Sequence, residues 1–237
     1  MAKGIVKAEY RDIVKSFGSL TGSKSMWQVF NDVITVIALT IQNTVVLGKK
    51  YEKNENEYNK IIKGYTKDEI ETFVKIYAQI VKMAEENPFR DLLGDLYMQL
   101  EMGSSAIGQF FTPYAVSQAM AENSYSVEDM NAILSEKNYI TLYEPAVGGG
   151  ANIIAFCEYL HKNDINYQDK CFVVCQELSR LTALMCYIIL SLIGCSAVIK
   201  VGDTLAKPFT NYFDEVAKGS ELWVTPTFVM NGGMYKV

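Results

Sequence analysis

Histidine is almost missing from this chain of 237 residues: His161 is the single one. Five cysteines (Cys157, Cys171, Cys175, Cys186 and Cys195) sit in apolar stretches, and none shows CxxC spacing. With so few ligands at such spacings no metal centre is expected. Cys171 and Cys175 read as two inward positions of one strand. Buried free thiols suit a reducing compartment, so a cytoplasmic protein is expected. An excess of basic residues is also lacking. Lys and Arg total 22 against 27 Asp and Glu, for a net charge of -5 and a pI near 5.1. Phosphate binding draws on clustered cations, so a chain that grips nucleic acid unaided is disfavoured. Residues 1–11 are polar and mixed in charge, so no secretory signal is expected there. There is no internal repeat and no low-complexity tract. Residues 27–47 come near the length of a membrane span. They carry Asn31, Asp32, Gln42 and Asn43, however, and read as a buried bundle helix with no membrane association.

What is present is ordinary for a globular protein: 49% hydrophobic and 21% charged residues, in a chain long enough to bury a core. The first hundred residues read as helices. Thr66-Lys-Asp-Glu69 has the form of a capping box. After it Ile70, Phe73, Val74, Tyr77, Ile80, Val81 and Met83 recur at helical spacing. Asn87-Pro88 ends that helix, and residues 89–101 give a shorter one. Residues 49–63 are charged and read as a helix end plus a connection. Beyond Gly103 apolar runs of strand length alternate with helical segments: 139–143, 152–160, 171–175, 178–193 and 197–201. That alternation predicts a parallel sheet wrapped by helices. Residues 222–224 offer one more short strand, and Met230-Asn-Gly-Gly-Met234 carries a hairpin turn signal. The expected division is a helical region over 1–103 and an α/β domain over 104–237.

In such a sheet ligands bind outside the carboxyl ends of the strands. The first strand runs into Glu144-Pro-Ala-Val-Gly-Gly-Gly150, whose glycines permit a sharp turn and close approach of a ligand. A dinucleotide fingerprint would need a third glycine where Ile153 stands. An acid beside a pyrophosphate would repel it, whereas the cationic methionine end of S-adenosylmethionine (SAM) would favour Glu144. The second strand ends in Gln176-Glu177, where a carboxylate can accept ribose hydroxyls. The third ends in Gly202-Asp203-Thr204-Leu205, where Asp203 can accept a hydrogen bond from an adenine amine. Each acid alone could be a helix cap or a turn residue. Upstream, Gly108-Gln-Phe-Phe-Thr-Pro113 reads as a Thr112 N-cap followed by proline in the first turn. Such a helix start offers free N–H groups to a carboxylate.

Taken together, in this order and spacing, these four motifs resemble those of N6-adenine DNA methyltransferases, above all the modification subunits of type I restriction systems. The resemblance covers the chain from about Phe89 onward. It implies a Rossmann-like SAM-dependent methyltransferase fold, a partial parallel sheet with flanking helices, preceded by a helical region. It also implies SAM as cofactor, held by Phe111, Thr112, Pro113, Glu144, Pro145, Ala146, Gly148, Gly150, Glu177 and Asp203. DNA is the implied substrate, reached with the help of a partner subunit, or of a second copy, that completes the sheet. The family carries Asn/Asp-Pro-Pro-Phe/Tyr after its fourth strand, where oxygens accept hydrogen bonds from the amine of a flipped-out base. Here Thr225-Pro226-Thr227-Phe228 holds that place. Thr225 and Pro226 are the expected catalytic positions, with Phe228 free to stack on the base. A threonine hydroxyl is a shorter acceptor than an Asn amide. The catalytic domain is expected to be incomplete at its C-terminus. Two functions are therefore expected: a SAM-dependent DNA adenine methyltransferase or its SAM-binding subunit, or a binding module of the same fold that has lost turnover.

Overall fold

The computed structural model describes residues 6–100 and 111–237. Gly108, Gln109 and Phe110 of the upstream motif lie outside the described residues.

After a 3-10 turn at Ala8–Tyr10, the helical region comprises α1 (Arg11–Ser19), α2 (Met26–Gln42), α3 (Lys49–Ile62), α4 (Lys67–Glu86) and α5 (Leu92–Gln99). Four of the five starts have a local cause. Ser25 caps α2, and Asp91 caps α5. The capping box of α4 is formed: Glu69 N–H donates to the Thr66 hydroxyl, and Thr66 N–H donates to the Glu69 carboxylate at 2.7 Å. Residues 49–63 depart from expectation, because they form a full helix and not a connection. Gly48, at φ 59°, turns the chain directly into α3. No helix among the described residues is long and apolar enough to cross a membrane.

The α/β part runs α6 (Tyr114–Ser124), α7 (Val127–Lys137), β1 (Ile140–Glu144), α8 (Ala151–Lys162), α9 (Tyr167–Lys170), β2 (Cys171–Glu177), α10 (Arg180–Leu192), β3 (Ser196–Val201), α11 (Tyr212–Ala217), β4 (Glu221–Val224) and α12 (Pro226–Met230), then a 3-10 turn at Gly233–Tyr235. The strands lie in the order β1-β2-β3-β4. The first three are parallel, as the alternating pattern predicts.

Alternate side chains divide between two faces, as the pleat requires. Cys171, Val173, Cys175, Ala197, Ile199 and Trp223 join one large core with the helices. α10 explains its own apolar sequence: every residue from 181 to 190 is buried, because it lies between the sheet and α2 and α5. The other face carries a smaller cluster of Val174, Val198, Leu222, Val224 and Phe228.

The sequence leaves the direction of the last strand open, and β4 pairs with β3 antiparallel. A parallel partner requires a crossover that traverses the sheet. Here α11 stays beside the carboxyl end of β3, where Glu215 pairs with Lys200 at 2.7 Å, so the next strand must run back. Residues 230–234 do not form the expected hairpin. Thr225 caps α12 with Pro226 in its first turn, and Asn231 and left-handed Gly232 (φ 64°) end that helix.

Candidate functional site

The carboxyl ends of β1, β2 and β3 bring three loops together. Glu144 closes β1, and its carboxylate accepts from Ala146 N–H and from the Asn152 amide, both at 3.2 Å. Asn152 accepts in turn from Ser117 of α6 at 2.8 Å. Gly148 and Gly150 adopt φ of 57° and 102°, a region costly for any residue with a Cβ. A Cβ on Gly150 would also stand 3.3 Å from Cys186 Sγ. The glycines are thus required by the turn and by the close passage of α10. Gly150 provides the N-cap position of α8, and no side chain caps that helix.

Glu177 ties the second loop to the first. One oxygen accepts from Gly148 N–H at 3.0 Å and the other from Ser179 N–H at 2.8 Å. Each oxygen keeps a second lone pair for a ligand hydroxyl. Asp203 Oδ1 accepts from Leu205 and Ala206 N–H at 2.9 and 3.3 Å. Its turn role is therefore real, while Oδ2 remains available to a ligand. Thr204 donates to the Pro145 carbonyl at 2.6 Å and joins the third loop to the first. Gln176, fully buried, fixes the same region from below. Its amide donates to the Gly202 and Lys207 carbonyls, and its carbonyl accepts from Phe209 N–H and the Tyr143 hydroxyl.

Phe111 lies across the Gly-rich turn, since a Cβ on Gly149 would meet its ring at 3.5 Å. Tyr97 of α5 holds that ring edge-on at 5.4 Å. Thr112 does not cap the next helix. Pro113, at φ -56° and ψ 132°, occupies the cap position, and α6 starts one residue later without a side-chain cap. Pro145 and Ala146 are exposed on the loop.

Thr225, Pro226 and Phe228 are not part of this cluster. Because β4 runs back, Thr225 lies level with the start of β3, where its hydroxyl donates to the Cys195 carbonyl at 2.7 Å and accepts from Ala197 N–H at 3.0 Å. Four residues of strand, about 13 Å, separate Ala197 from Val201 at the other end. Phe228 is 0% exposed and packs beside Tyr212. It is not open to stack on a base, which corrects the sequence expectation. The physical cause is the antiparallel return of β4.

Sequence reasoning passed over Asp91, Ser117 and Asn152, and it gave no role to Thr204 and Gln176, which it met only as parts of motifs. Asp91 could have been found from Asp91-x-x-Gly94, a cap followed by a glycine at the position that the cap faces. The others are ordinary polar residues whose roles depend on the loops meeting. Among the described residues no group of three or more His, Cys, Asp or Glu could hold a metal ion.

The family model described as N-6 DNA Methylase matches residues 89–221, more than half of the chain and the whole of the cluster just described. The chain belongs to the N-6 DNA methylase family. No curated protein matches it. Among solved structures it is similar to the methyltransferase subunit of a type I restriction-modification system from Streptococcus thermophilus, at 18% identity and a TM-score of 0.39, over 89% of this chain and 43% of that one. It is also similar to a protein described as a class I S-adenosylmethionine-dependent methyltransferase from Listeria monocytogenes, at 14% identity and a TM-score of 0.43, over 94% of this chain and 69% of that one. The chain thus spans less than half the length of the Streptococcus subunit. The family assignment rests on the match to residues 89–221.

Proposed function

We propose that this N-6 DNA methylase family member binds SAM across the carboxyl ends of β1, β2 and β3, and serves as the SAM-binding part of an enzyme that methylates the N6 amine of adenine in DNA. The observation that carries this reading is the junction of Glu177 with Gly148. It sets an acid of β2 against the Gly-rich turn after β1, with Glu144 and Asp203 on either side. The fit is chemical. Glu144 faces a cationic methionine end, Glu177 offers lone pairs to ribose hydroxyls, and Asp203 Oδ2 offers one to the adenine amine. The uncapped start of α6, next to Phe111 to Pro113, leaves N–H groups for a carboxylate. When bound, SAM supplies an electrophilic methyl group on a sulfonium. The chain's part is to hold and orient that donor.

The acceptor groups for the target amine are proposed to come from a partner subunit or a second copy, because Thr225 and Phe228 are engaged at the far end of the sheet. β1 is an edge strand of the sheet, the side on which a partner would extend it. The net charge of -5 agrees with DNA being gripped jointly. A second reading, a SAM-binding module without turnover, is favoured by the same burial of Phe228.

Calorimetry with SAM and NAD side by side tests the pocket. SAM binding without NAD binding is expected, and the reverse would refute the assignment. Tritiated SAM with adenine-containing DNA then separates the two readings. Label transferred in the presence of the partner supports the enzyme subunit, and binding with no label under any pairing leaves the module.

A further inference from the structure

The carboxylate of Asp91 is wedged between two glycines. Its Oδ1 accepts from Gly94 N–H at 3.0 Å. A Cβ on Gly94 would collide with the carboxylate, and one on Gly149 would stand 3.6 Å from Oδ1. The residue is 6% exposed, and among the described residues neither oxygen has an ion-pair partner. Arg90 is turned away to Glu9 and the Tyr10 hydroxyl.

Aspartate is a good cap, but Asp91 is the one charged cap among the described helices. Every other side-chain cap among the described helices is neutral: Ser25, Thr66, Ser126, Asn166, Ser179, Asn211 and Thr225. A buried carboxylate costs stability unless a positive charge meets it. The surrounding titratable groups supply none. Asp95, on the same helix, has the same sign and is held by Lys7 and the Tyr10 hydroxyl. Tyr114 of α6 is bonded to Glu158 of α8, which pairs with Lys162. Glu177 of β2 stands across the Gly-rich turn and is again an acid. Burial, and to a lesser degree Asp95, outweigh the Gly94 bond and push the Asp91 carboxyl up to about 6.

We infer that the missing cation belongs to the ligand: Asp91 is a binding residue that meets the positively charged methionine end of SAM against Gly149. This rests on the SAM reading of the site.

Asp91→Asn keeps a capping oxygen and removes the charge. Wild type and variant are titrated calorimetrically with SAM and with 5′-methylthioadenosine, which lacks the charged amino-acid end, between pH 5 and 8. At pH 7.5 the variant is expected to bind SAM about tenfold more weakly, as for the loss of one screened charge pair, and to bind 5′-methylthioadenosine unchanged. Wild-type SAM affinity is expected to fall as pH drops through about 6, a limb the variant lacks. Melting at pH 7.5 should be no lower for the variant, since a buried charge is gone. Equal SAM affinity in both proteins, or an equal loss for both ligands, overturns the role of Asp91 alone. A wild type that binds neither ligand overturns the SAM reading itself. If only SAM binds measurably, the pH limb decides.

Discussion

The two ends of the sheet were built for different purposes. At the carboxyl end of β1 to β3 the backbone turns sharply on Gly148 and Gly150, and acids lie partly open to solvent. Their hydrogen bonds go mostly to backbone N–H groups and leave lone pairs unused. At the other end the Thr225 hydroxyl donates to the Cys195 carbonyl and accepts from Ala197 N–H and Phe228 N–H, and Phe228 has no exposed surface. Spare hydrogen-bonding capacity at the first end is what the proposed ligand would use. Full satisfaction and tight packing mark the second as structure. A motif position that is catalytic by resemblance has here become part of a core.

The sharpest way to break that contrast is Phe228→Ala. Emptying a fully buried aromatic site should cost about 3–5 kcal/mol, read as a large drop in the denaturant midpoint, with SAM affinity of the folded protein unchanged. A stable variant that had lost only methyl transfer would instead put the ring back beside a substrate.

Next in size is the acid limb of stability. Glu215 is fully buried, which by itself raises its pKa. Bonds from Lys200, Ser220, Lys218 and Thr210 outweigh that and hold it at about 2, below its ordinary 4.5. A depressed carboxylate stabilises the fold above its unfolded value and loses that contribution as pH falls. Stability is therefore expected to drop between about pH 4.5 and 2, and Glu215→Gln should flatten this limb in acid titrations followed by circular dichroism.

Much of this was legible beforehand where local chemistry decides. The Thr66–Glu69 capping box, the three parallel strands and the Gly-rich turn follow from spacing and backbone preference alone. What was not legible depends on a distant choice. Nothing within residues 222–228 says which edge of the sheet the strand will join or in which direction, because that is fixed by the Lys200–Glu215 pair and the path of α11. Residues 49–63 read as a helix end plus a connection because they are so charged. Their helix is held by contacts such as Asn54 donating to Asn43 at 2.8 Å, which no periodicity displays. Asp91 was missed for a related reason, since its partner Gly149 lies 58 positions on.

Smaller effects sharpen the ligand end. Glu177→Ala and Asp203→Ala should each weaken SAM binding by about tenfold, the scale of one or two lost hydrogen bonds to a charged group. Their stability costs should differ. Glu177 anchors Gly148 and Ser179 and is expected to lower the melting temperature measurably, whereas exposed Asp203 bonds only its own turn. Unchanged calorimetric affinity in both variants would remove these residues from the site.

The smallest expected effect concerns the helix start at α6. A threonine that caps a helix is worth roughly 1 kcal/mol, and Thr66→Ala should show that loss. Thr112 is exposed and makes no capping bond, the cap position being that of Pro113. Thr112→Ala should then stay within about 0.5 kcal/mol of wild type, as for an ordinary surface change. Its influence on SAM affinity is the informative part. If the hydroxyl serves the ligand, affinity falls while the melting curve does not move. If both move together by the amount seen for Thr66→Ala, Thr112 caps α6 after all, and the uncapped helix start would cease to be an argument for a carboxylate bound there.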